Sequence, residues 1–261
     1  MYVNEEVLDI IFRSSINYRT PDRYFIERII TLIASYDGLA DYIKGIYYDC
    51  YSVAVYYYES GILKFNITKI IDELEEIYDN NSFSECSNNY LLNKYLFIYL
   101  RLMEIIFHEL EHIKQKKKLD NSRGDNLEKQ LIDISLIARE VYLDLYDTKH
   151  SLFSIERIAN IRSCKRILGL LKLDTSIPQF IYNNFYFRYC YLVSEYYSSG
   201  SFPILEFVNA TNGKIVYEDI LFCKKNTNKI LKKTRDTFSF ADRITLGLPV
   251  TKSELDRILV R

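Results

Sequence analysis

The chain has 261 residues, with 34 basic against 35 acidic side chains and 48% apolar residues. At roughly 150 residues per domain this is one large domain or two small ones, with enough apolar matter for a sizeable core; disordered, collagen-like and disulfide-scaffold classes are excluded. A net charge of −1 excludes a general polycation acting on nucleic acid.

The N-terminus, MYVNEEVLDIIF, carries acidic residues where a signal peptide carries basic ones. No apolar run reaches the ~18 residues of a membrane span, so a cytoplasmic protein without a membrane partner is expected. Residues up to about 46 read as helical. Thr20 suits the N-cap of the segment DRYFIERIITLIASY, with Pro21 at its first helical position. YSVAVYYYESGILKFNI, residues 51–67, reads as two strands joined at Glu59-Ser60-Gly61. A long helix is predicted from about Tyr90 to Lys116, with Tyr95, Leu96, Tyr99, Leu102, Met103, Ile106, Leu110 and Ile113 on one broad stripe. Lys114, Lys116, Lys117 and Lys118 close it, where cations favour the negative end of the dipole. Further helices are predicted at Leu127–Tyr146, from Ser154 to about Leu171, and from Gln179 to Tyr197 after Pro178. The last 60 residues mix short strand-like runs with a basic stretch, Lys224 to Arg235, which reads as a solvated face. Cys50, Cys86, Cys164, Cys190 and Cys223 are odd in number and widely spaced, which predicts reduced thiols.

Two of the three histidines stand in His108-Glu109-Leu110-Glu111-His112, an H-E-x-x-H motif inside the predicted long helix. Residues i and i+4 share a helix face, so both imidazoles can reach one ion. Glu109 then projects beside that ion as a proton acceptor and donor for water and leaving amine. Zinc, redox-inert and accepting N and O ligands, suits the task. The plain structural alternative is a solvated, charged helix face; Ile105-Ile106-Phe107 ahead of the motif argue against it. A third ligand is needed to leave one position open, and His150, Glu140 and Glu156 are the candidates. Tyr142, Tyr182 and Tyr186 are candidates for stabilising an oxyanion.

H-E-x-x-H followed by Glu156-Arg157-Ile158-Ala159-Asn160, an E-x-x-A-N segment, resembles the gluzincin-type zinc peptidases, most closely the ImmA/IrrE-type family. The resemblance covers these two motifs, their order and the preceding hairpin. It implies Glu156 as third ligand and Asn160 as a hydrogen-bond partner for a ligand imidazole. His150 remains the runner-up ligand, or a substrate or oxyanion contact.

The expected fold is α+β: mostly helical, with a small antiparallel sheet packed against the motif helix. A metallopeptidase domain over residues 1–172 and a mostly helical region over 173–261 are expected. The expected function is zinc-dependent limited cleavage of an intracellular regulatory protein, by a water that Glu109 activates. The implied setting is a phage or mobile element. The alternative is an inactive binding module of the same fold, acting on a protein or nucleic acid through its basic C-terminal segment.

Overall fold

Two amphipathic helices open the chain in the computed structural model, which describes residues 3–80, 90–121 and 154–198. Helix α1 (Val3–Ile16) buries Val7, Ile10 and Ile11, and α2 (Arg23–Asp37) buries Ile26, Ile29, Ile30 and Ile33. Both sets follow the helical spacing that makes one apolar face. The N-cap of α2 is Asp22, not Thr20: its carboxylate accepts the Phe25 N–H at 2.8 Å. The cap needs a side-chain acceptor and an extended backbone, and Asp22 has both, leaving Pro21 outside the helix. Gly38 ends α2 at φ +64°, while the Leu39 N–H reaches the Ala34 carbonyl at 2.7 Å. Glycine tolerates this left-handed closing turn without a Cβ clash.

A short 3-10 turn (Ala40–Tyr42) leads into three strands, β1 (Gly45–Tyr47), β2 (Ala54–Tyr57) and β3 (Ile62–Phe65). β3 lies in the middle, antiparallel to β2 and parallel to β1. The expected hairpin is present, but the sheet is mixed, because β1 joins the other edge of β3. A three-residue strand is too short to show a period of two, so only the pairing reveals it. Tyr56, Leu63 and Phe65 are buried on one face; Tyr47, Tyr57 and Lys64 lie on the other.

Helix α3 (Ile67–Asn80) follows at once. Asn66 caps it, accepting the Lys69 N–H at 3.0 Å, and Ile70, Leu74 and Tyr78 are buried at intervals of one turn. Helix α4 (Tyr90–Asn121) is 32 residues long and contains neither Gly nor Pro. Its expected stripe is buried apart from the half-buried Tyr95, but so are Phe97, Ile98, Leu100 and Phe107, so α4 is covered on several sides. Helices α5 (Ser154–Leu171) and α6 (Gln179–Ser198) complete the described residues. The predicted helix Leu127–Tyr146 and the segment 199–261 lie outside them.

The chain divides into two compact units, Met1–Lys117 with Ser163–Phe187, and Lys118–Arg162 with Arg188–Arg261. Within the first unit, Asp37 at the end of α2 meets Lys114 of α4 at 3.1 Å and Arg166 of α5 at 2.8 Å. Lys117 donates to the Gly38 carbonyl at 2.8 Å, and the Arg166 guanidinium stacks over Phe107 at 4.4 Å. Burial would raise the Asp37 pKa, but the charges of Arg166 and Lys114 outweigh it and hold the carboxyl below its ordinary 3.8. Among the described residues, no helix is long and apolar enough to cross a membrane.

A carboxyl whose pKa is lower folded than unfolded stabilises the fold above the unfolded value, and that contribution fades as pH falls through the folded one. Asp37→Asn is therefore expected to destabilise at neutral pH by about 1–3 kcal/mol. Its deficit relative to wild type should shrink below about pH 4. Urea unfolding of both proteins at pH 7 and pH 3 measures this. An unchanged midpoint at pH 7 would remove the clamp from the stability argument.

Candidate metal centre

The motif lies on the buried middle of α4, as its apolar flanks predict. His112 is 5% exposed and Glu109 is 5% exposed, while His108 is half-buried. The helix turn points both imidazoles the same way, and their Nε2 atoms stand 3.0 Å apart. Two zinc–nitrogen bonds of about 2.1 Å at a tetrahedral angle would set them about 3.4 Å apart. The observed spacing is close to that.

Glu156 stands in the first turn of α5 and is 1% exposed. One ligand atom each from His108, His112 and Glu156 lie within 4.8 Å of one another. Two imidazole nitrogens and a carboxylate oxygen, mostly withdrawn from water, fit a divalent metal ion. The group can thus hold a metal ion. The histidine pair and Glu156 stand at the two ends of a 44-residue interval, His112 to Glu156.

Asn160 follows Glu156 by one turn on α5 and is half-buried. Tyr182 and Tyr186 of α6 stack on each other with ring centroids 6.3 Å apart, and Tyr186 is 46% exposed. His150, Glu140, Tyr142 and the basic segment Lys224 to Arg235 lie outside the described residues.

Two residues at the site were not anticipated. Gln115, fully buried, places its Oε1 2.9 Å from His112 Nδ1. The Tyr58 hydroxyl donates to the same Oε1 at 2.7 Å and lies 3.3 Å from His112 Nδ1. The signal for Gln115 was in the sequence: a glutamine three residues after the second histidine shares its helix face. Tyr58 carried no such signal, since only the folded hairpin turn brings it to α4.

Glu111, the other motif carboxylate, is turned aside: it pairs with Lys114 at 2.9 Å, next to the Asp37 clamp. No family model, curated protein or solved structure matches the chain.

Protein purified without added metal and then offered zinc is expected to hold about one ion per chain. His108→Ala and His112→Ala should lose it, and Glu156→Ala should retain much less. Elemental mass spectrometry after gel filtration reads all four. Undiminished zinc in Glu156→Ala would strike that residue from the ligand set.

Proposed function

We propose that the chain is a zinc-dependent endopeptidase of gluzincin type, similar to the ImmA/IrrE-type peptidases. The observation that supports this reading is that His108, His112 and Glu156 bring one ligand atom each within 4.8 Å of one another, with the buried Glu109 next to His108 in the chain. Three protein ligands leave one coordination position open, the arrangement of catalytic rather than structural zinc sites. When bound, zinc would lower the pKa of a water toward neutrality and polarise a carbonyl oxygen.

The rest is the work of the chain. Glu109 accepts the proton of the attacking water and later delivers it to the departing amine. Its burial strengthens each of these electrostatic interactions by excluding competing solvent. A binding module has no use for an acid–base carboxylate in this position, which favours the enzyme. Among the described residues β2 is an edge strand, so its outer backbone groups can pair with an extended peptide, and this supports a protein or peptide substrate. The physiological reaction on this reading is limited cleavage of a regulatory protein.

Glu109→Gln should keep zinc at the wild-type level while lowering cleavage at least ~100-fold. The zinc-loaded pair is compared on a quenched-fluorescent peptide library. Cleavage that persists in Glu109→Gln, or that survives removal of zinc by a chelator, would overturn the mechanism.

A further inference from the structure

We infer that Gln115 and Tyr58 are positioning residues for the metal centre, with Gln115 selecting the tautomer of His112 and Tyr58 of the hairpin turn holding Gln115 in place. The inference rests on the metal-site reading above and adds the part of the chain that prepares the ligand.

The two nitrogens of the His112 ring have different tasks. His112 can offer Nε2 to an ion only if its neutral ring carries the proton on Nδ1. A buried N–H needs an acceptor, or that tautomer is disfavoured. Gln115 Oε1 lies 2.9 Å from Nδ1 and can only accept. It therefore pins the proton to Nδ1 and leaves the Nε2 lone pair directed toward His108 Nε2, 3.0 Å away.

A glutamine amide has two ends, and the wrong one would present N–H groups to Nδ1. The Tyr58 hydroxyl addresses that choice. It donates to Oε1 at 2.7 Å, so this oxygen uses both lone pairs, one for Tyr58 and one for His112. Gln115 is fully buried, so no water competes for that oxygen. Tyr58 immediately follows β2, whose pairing with β3 runs to Tyr57↔Ile62. Register between these strands thus places the hydroxyl. A slip by one residue would turn Tyr58 to the other face and take its hydroxyl from the site. The hairpin is on this account a built part of the metal centre as well as a cover for α4.

The test compares wild type, Gln115→Met, Gln115→Glu and Tyr58→Phe. Zinc affinity is measured by competition with a chromophoric chelator, and ligand geometry by the visible absorption of the cobalt(II)-loaded proteins. Circular dichroism establishes folding. Gln115→Met keeps the shape and loses the acceptor, and should bind zinc about 10–100-fold more weakly. Gln115→Glu restores an acceptor oxygen and should return affinity and cobalt spectrum to wild type or tighter. Tyr58→Phe should shift the cobalt bands and weaken zinc by less than Gln115→Met. A folded Gln115→Met with wild-type affinity would overturn the inference, and so would a Gln115→Glu as weak as Gln115→Met. Should Gln115→Met not fold, an unchanged affinity and cobalt spectrum in Tyr58→Phe would still refute the hairpin's part. Wild type that takes up neither metal would bring down the metal-site reading itself, an outcome distinct from metal-replete wild type with indifferent variants.

Discussion

The helical turn from His108 to His112 imposes a demanding condition on everything around it. It holds two imidazole nitrogens 3.0 Å apart in the interior, with a third donor, Glu156, close by. Two imidazole nitrogens and a carboxylate oxygen gathered in this way could hold a metal ion. The backbone of α4 supplies the spacing, because residues four apart lie one above the other at one helical pitch. The covering of α4 supplies the dryness. Phe107, Leu110 and Ile113, which alternate with the site residues, are at most 1% exposed. A helix of 32 residues with no Gly or Pro also resists bending, so the two rings keep their relation.

The second requirement is that α4 and its neighbours stay in register. One carboxylate, Asp37, takes both Lys114 and Arg166, and Lys117 takes the last turn of α2 through the Gly38 carbonyl. Helix ends leave carbonyls unpaired, so a lysine there satisfies both a hydrogen bond and the dipole. The lysines after the motif thus serve the end of α2 as well as the end of their own helix. Lys114 also engages Glu111 and so keeps the spare motif carboxylate away from the ligand face.

The sheet contributes through geometry more than through area. Its three short strands bury Tyr56, Leu63 and Phe65 on one face. The hairpin turn then delivers Tyr58 to Gln115 and His112. The group that could hold a metal ion draws on two helices, and the turn reaches one of its imidazoles. The long helix offers two nitrogens, α5 offers charge, and the turn offers the hydroxyl that orients the amide.

Much of the fold and the heart of the site were legible in the sequence. Helical spacing marked α4, α5 and α6 to within a few residues, and H-E-x-x-H marked the ligand pair, because both are local patterns of a periodic backbone. The hairpin was legible for the same reason, from β-branched and aromatic runs around Glu59-Ser60-Gly61. The cap of α2 was misplaced by two residues, since Thr20 and Asp22 are both good caps and only backbone conformation chooses between them. Strand β1 stayed hidden because pairing with β3 creates it. Glu156 was one of three candidate ligands in the residues alone, and the resemblance favoured it; the folded chain brings it within 4.8 Å of both histidines. Gln115 needed only a helical wheel, yet Tyr58 needed the fold. The sequence by itself determined which residues share a helix face, because that follows from bond geometry within one turn. Tertiary structure alone decided which distant side chains meet across elements, because those contacts depend on how separate apolar faces are buried together.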